Sequence, residues 1–210
     1  MNGASRAKVV SYLTVLIGFA AIVVAGVKPQ LGVFRALLGV PGLAVMLLGT
    51  YDRWLWRLGS YGQPVLIGTW RGELNSSWRD ASGQLVGPIH VFVVIRQSAT
   101  TISITLLSEE SRSSSVTGTL TRSSDGQHDV TWAYRNEPLA ALFQRSGMHY
   151  GAAMISGITD RHPLRLEGKY WTDRHTTGDL ILTDRVAKSA GTYSEAKTLF
   201  SVTAAAAKTP

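Results

Sequence analysis

The chain of 210 residues contains no cysteine. Disulfides and thiolate metal sites are therefore excluded, and a reducing compartment suits it. Acidic residues are few, 14 against 21 Lys and Arg, which leaves a net charge of +7. The excess is scattered and mostly Arg, without the basic element that binding to polymeric nucleic acid requires. Other absences bear on catalysis. None of His90, His128, His149, His162 and His175 pairs with another at metal-ligand spacing with a third ligand near. No glycine-rich phosphate loop joins a strand to a helix. Glu109 and Glu110 are adjacent, so a strand would point them to opposite faces and they could not work as paired acid and base. The run Ser113-Ser114-Ser115 lacks the strand-turn-helix setting of a nucleophile. The expectation is a protein that is not an enzyme, with no metal and no cofactor.

Two long apolar runs are present, back to back near the N-terminus. Val9 to Val27 carries no charge, and Leu31 to Tyr51 carries only Arg35. At about 1.5 Å of rise per residue, each covers roughly the 30 Å of a hydrocarbon core. The link Lys28-Pro29-Gln30 suits a tight turn. These runs predict a transmembrane helical hairpin over residues 1–58. A cleaved signal peptide is the rival reading of the first run, with Val24-Ala25-Gly26 as a weak cleavage site. Arg6, Lys8, Arg53 and Arg57 flank the hairpin outside its turn, against Lys28 and Arg35 near it, so both termini are expected in the cytoplasm. Tyr51, Trp54 and Trp56 sit where an interfacial aromatic belt belongs. Ala21, Ala25, Gly39 and Gly42, the last beside Pro41, allow close helix approach.

From Leu66 onward the apolar period falls to two, the period of strands. Leu66, Gly68, Trp70, Gly72 and Leu74 share one face. So do Val91, Val93 and Ile95; Ile102, Ile104 and Leu106; Val116, Gly118 and Leu120; and Val130, Trp132 and Tyr134. A strand near Met148 to Gly157 follows, then Leu164, Leu166, Gly168 and Tyr170, then Gly178, Leu180 and Leu182. About eight strands with short links can close on themselves and remove their edges. The predicted fold class is a transmembrane helical hairpin followed by an all-β, antiparallel, eight-stranded small barrel over residues 64–184. A two-sheet sandwich is the alternative. Residues 185–210, rich in Ala, Ser, Thr and Lys, are expected to be a flexible tail, in which YSEAKTLFSV could form a short helix.

Three segments mix aromatic, arginine and hydrogen-bonding side chains at expected strand ends: Glu109-Glu110-Ser111-Arg112-Ser113, Tyr134-Arg135-Asn136-Glu137-Pro138 and Tyr170-Trp171-Thr172-Asp173-Arg174. Trp70-Arg71 with Trp78 makes a fourth. Aromatic rings stack on bases, arginine pairs with phosphate oxygens, and Asn, Asp or Thr read base edges and ribose hydroxyls. The plainer reading has the aromatics filling the barrel and the charges pairing at its rim.

The hairpin followed by GTWRGELNSSW, VVIRQ, LLSEESRSSS, YRNEP, HYGAA and LEGKYWTDRHTTGDLIL resembles the SMODS-associated, two-transmembrane, β-strand-rich effectors of bacterial cyclic-oligonucleotide anti-phage signalling (CBASS). The resemblance runs from about Val9 to Thr183. It implies a cytoplasmic barrel that binds a cyclic di- or trinucleotide second messenger, a lipid bilayer of the bacterial inner membrane as the other partner, and ligand-induced homo-oligomers that disrupt that membrane. With the resemblance, ligand contact is expected at Tyr134, Arg135, Asn136, Trp171, Thr172 and Arg174, and further at Glu110, Ser111 and Arg112. A membrane-tethered barrel that binds another small ligand or serves as an assembly scaffold is the alternative, and a membrane-bound hydrolase a remote third.

Overall fold

The computed structural model describes residues 46–58, 62–79 and 82–206, with side chains as far as 203. It divides into two units, Met1–Ser60 with Ser98–Thr100, and Tyr61–Gln97 with Thr101–Pro210. In the first unit, residues 46–53 are helical and a 3-10 turn follows at Leu55–Arg57. There Asp52 accepts hydrogen bonds from Ser98 Oγ at 3.1 Å and Thr100 Oγ1 at 2.8 Å. The expected first membrane helix, and the second as far as residue 45, lie outside the described residues. Among the described residues no helix is long and apolar enough to cross a membrane.

The second unit is a closed antiparallel barrel of eight strands in sequence order. They are β1 Gly68–Ser76, β2 Ile89–Gln97, β3 Ile102–Leu107, β4 Ser111–Arg122, β5 His128–Pro138, β6 His149–Ile158, β7 Leu166–Thr172 and β8 Thr177–Val186. Pairing of β1 with β8 closes the ring, so no backbone edge is left for another chain to extend. The period-two pattern does the sorting. Alternate side chains of each strand point to one face, and the apolar set fills the interior.

Two positions assigned to that set stand elsewhere. Val116 is 71% exposed, because the β4–β5 register shifts between Ser115 and Thr117 and leaves it as the extra residue of a bulge. Leu164 is 86% exposed in the loop before β7, which begins only at Leu166.

The barrel is solid at one end. Leu66, Trp70, Ile95, Ile158, Leu166 and Leu182 pack there with almost no exposure. Buried polar groups are paired, as their desolvation demands. Gln97 accepts from Leu66 N at 2.9 Å and donates to Pro64 O at 2.8 Å, and Trp70 Nε1 donates to Leu66 O at 2.8 Å. The Arg185 guanidinium lies 5.2 Å over the Trp70 ring.

The segment expected to be a flexible tail is folded as far as residue 206. It carries a helix, α1, at Tyr193–Ala206. Composition suggested disorder, but β2 and β3 turn Phe92, Val94 and Leu107 to the outer face, and these need cover. Ala190, Ala196 and Phe200 pack on them, with Phe200 stacked 5.5 Å from Phe92. Thr69 Oγ1 anchors the approach, donating to Lys188 O at 2.7 Å and accepting from Ala190 N at 3.0 Å.

Candidate ligand-binding cavity

At the other end the barrel is hollow. The last residues of β1, β3, β5 and β7 and the first of β2, β4, β6 and β8 surround a cavity of about 670 Å³. That is within the range of small-molecule sites. Its floor is apolar, made by Trp132, Leu106, Leu180 and Ala153. Above the floor lies a ring of hydroxyls and amides that includes Ser76, Ser113, Asn136 and Thr172. At the mouth stand Glu110, Arg145, His149 and Arg174. The order suits an amphiphilic ligand with flat apolar faces and an anionic periphery.

The ring is held by bonds among its own members. Ser113 Oγ donates to Asn136 Oδ1 at 2.8 Å, across the pairing of β4 with β5. This engages the carboxamide oxygen and leaves the NH2 as the donor end of Asn136. Tyr170 Oη donates to Ser76 Oγ at 2.7 Å. Thr172 and Thr176 share a hydroxyl contact of 2.7 Å at the β7–β8 turn.

Two tyrosines owe their place to glycines on the neighbouring strand. Tyr134 pairs with Gly151, where a Cβ would fall 2.5 Å from the ring's Cζ and hydroxyl. Tyr170 pairs with Gly178, where a Cβ would fall 2.6 Å from the ring's Cε1. Lying over bare backbone, both rings reach the cavity without filling it. Burial raises the Tyr134 pKa far above the usual phenol range, and Tyr170 and Asp173 nearby add to the rise. Burial also raises that of Tyr170, partly offset by its bond to Ser76. Near neutral pH both present a neutral O–H.

Of the nine residues expected to touch a ligand, the structure brings six together around this cavity: Glu110, Ser111, Tyr134, Asn136, Thr172 and Arg174. The other three, Arg112, Arg135 and Trp171, do not line the cavity and stand on the outer face. Each is the immediate neighbour of a lining residue, and strand alternation turns it the opposite way. Arg112 Nη1 donates to Gly191 O at 2.9 Å, a tie to the segment before α1. Arg135 pairs with Glu137, and Trp171 is 47% exposed. In the fourth cluster Trp78 lines the cavity, Trp70 belongs to the solid end, and Arg71 pairs with Asp184 outside.

The structure adds lining residues that the clusters did not contain: Arg145 and Ser146 in the β5–β6 loop, His149, Trp132, Ser76 and Ser108. Parity with Tyr134 would have found Trp132. The loop residues have no periodic signal. Among the described residues no group of His, Asp and Glu could hold a metal ion.

Residues 62–184, most of the barrel, match the model of the family described as "Cap15, cyclic dinucleotide receptor domain". The chain is also similar to the CD-NTase-associated protein 15 of Staphylococcus schleiferi, at 26% identity over 176 residues, covering 83% of this chain and 93% of that protein. An eight-stranded barrel with one hollow, arginine-rimmed end and a family match across it place the chain in the Cap15 cyclic dinucleotide receptor family.

Proposed function

We propose that the chain is a membrane-anchored effector of CBASS anti-phage defence, a receptor and not an enzyme, whose barrel binds a cyclic dinucleotide in the open-ended cavity. The observation that carries this reading is the pair Arg145 and Arg174 at the mouth, above a ring of neutral donors and an apolar floor. Arginine offers a fork of donors to phosphate oxygens. Tyr134, Tyr170 and Trp132 offer faces or edges to the bases, and Asn136, Ser111 and Thr172 offer polar contacts to base edges or ribose. The family description supports the ligand class.

Ligand binding then favours an assembled state in which several hairpins pack together in the inner membrane and disrupt it. A ligand shifts such an equilibrium only as far as it binds the assembled state more tightly. The apolar runs at Val9–Val27 and Leu31–Tyr51 supply the membrane part. The apolar floor also suits another small ligand, and a barrel of that kind would be a tethered binding or scaffold module.

The test is thermal-shift measurement on the full chain in detergent, against cyclic di-AMP, cyclic di-GMP, 3′,3′-cyclic GMP–AMP, a uridine-containing cyclic dinucleotide and a cyclic trinucleotide. A bound ligand stabilises by mass action, by about 2.7 kcal/mol at a hundredfold excess over Kd. A rise in melting temperature with a cyclic dinucleotide is expected. No shift with any of the five would overturn the receptor reading.

A further inference from the structure

The mouth of the cavity carries one feature that an anion site does not need: a carboxylate. Glu110 Oε2 lies 2.5 Å from Arg145 Nη2. Glu110 sits in the β3–β4 turn and Arg145 in the β5–β6 loop, so their pair joins neighbouring connections on the rim of the opening. The loop is a compact unit. Its 3-10 turn Ala140–Leu142 continues into bonds from Arg145 N and Ser146 N to Leu142 O, at 3.0 and 2.9 Å, which hold Arg145 and Ser146 side by side. Leu142 of the same loop faces the cavity. On one side Leu139 N donates to Glu110 O at 2.8 Å. On the other, Arg174 Nη1 of the β7–β8 turn donates to Ser146 Oγ at 2.9 Å. The loop is thus a strap between two turns, and each of its side-chain ties uses an arginine that lines the cavity.

Building on the receptor reading above, we propose that Glu110 is an internal competitor for the ligand. It occupies the place on Arg145 that a ligand phosphate takes, and binding exchanges the one anion for the other while the strap re-forms over the ligand. The exchange is favourable for a physical reason. Both partners are more than half exposed, and solvent-exposed ion pairs of this kind are weak. A phosphate held between Arg145 and Arg174 in a partly closed cavity is screened less and accepts from both guanidiniums. Arg174 gives up only a neutral hydroxyl partner. Glu110 therefore sets a threshold. It lowers affinity for any anion that cannot engage both arginines, and a lone inorganic phosphate is such an anion.

Three variants of the full chain in detergent decide this by calorimetry, with whichever cyclic dinucleotide of the panel binds the wild type. Glu110→Gln is expected to bind about two- to fivefold more tightly, the scale of an exposed ion pair. Arg145→Ala is expected to bind tenfold or more weakly, the scale of a charge-assisted hydrogen bond. The double variant is expected to match Arg145→Ala, because without the arginine the carboxylate has nothing to guard. Without ligand, Glu110→Gln is expected to speed amide hydrogen exchange across residues 139–148. Weaker binding by Glu110→Gln would show that the carboxylate contacts the ligand directly, for instance a guanine edge, and would overturn the proposal while leaving the receptor reading intact. Unchanged affinity, or unchanged exchange in the loop, would also overturn it. Failure of the wild type to bind any member of the panel would overturn the receptor reading itself.

Discussion

Two residues at the hollow end make separable predictions about ligand and stability. Asn136 is buried, and its carboxamide is oriented by Ser113 Oγ, so its NH2 is the end offered to a ligand. Asn136→Asp keeps the shape, turns a donor into an acceptor and adds a negative charge. Affinity for an anionic ligand should fall at least tenfold by calorimetry, on the scale of a hydrogen bond to a charged group lost and a like charge gained. Folding should survive, and an unchanged affinity would remove Asn136 from the site. Tyr134 makes a pH prediction. Its usual pKa is near 10, and burial raises it in the folded barrel. Above that pH the unfolded chain loses the proton while the native one keeps it. Stability is therefore fully present below about pH 9 and declines as pH rises from the unfolded value towards the higher native one. Denaturation midpoints measured between pH 8 and 11 should fall less steeply for Tyr134→Phe than for the wild type. Equal slopes would mean that the phenol is solvated.

Elements show which parts of the structure were legible in the sequence. Strand number, strand order and the inward set followed from the period of two, because a barrel interior is apolar over most of its length. The bulge at Val116 and the late start of β7 were not legible, since register is a property of two strands and a single strand's pattern does not contain it. The cavity was half legible. Clusters at strand ends pointed to the right end of the barrel, but an adjacent triplet such as Tyr134-Arg135-Asn136 cannot all face inward. Alternation sends Arg135 out to Glu137. Arg145 could not be found at all, because it reaches the mouth from a loop with no repeat. Helix α1 was legible only as a possible short helix in an expected tail, for a different reason. Its composition is that of a tail, and only the outward Phe92 and Val94 reveal that something must lie over them. Its role is testable. Phe200 is buried, stacks on Phe92 and lies 5.2 Å from the Arg71 guanidinium. Phe200→Ala should cost about 3 kcal/mol in chemical denaturation, the scale of a buried aromatic truncation. Ligand affinity should hold, because α1 covers the outer face of β2 while the cavity lies inside the barrel. A fall in affinity matching the fall in stability would mean that α1 shapes the cavity.

For the whole molecule, the proposed function gives recognition to the barrel and effect to the N-terminal apolar runs. The barrel has a closed sheet, a solid end and a hollow end. The two apolar runs have the length of membrane spans, carry a single charge, Arg35, and have small residues at Ala21, Ala25, Gly39 and Gly42. If the receptor acts by assembling hairpins, both parts are required. The full chain, expressed with a cognate cyclic dinucleotide, should depolarise the inner membrane, and without the ligand it should not. A chain lacking residues 1–58 should leave cells unharmed under both conditions. Replacing Ala21 and Ala25 with Leu should reduce depolarisation while ligand affinity of the full chain in detergent stays the same, because bulk is added to the helix packing surface and not to the barrel. Reporter fusions at Pro210 should be active in the cytoplasm, where a cyclic dinucleotide signal would be made. Killing by the chain without residues 1–58, at the level of the full chain, would refute the membrane mechanism and require an activity of the barrel alone. Loss of killing in the Ala21→Leu/Ala25→Leu variant together with loss of affinity would place the helices in the ligand response and not only in its output.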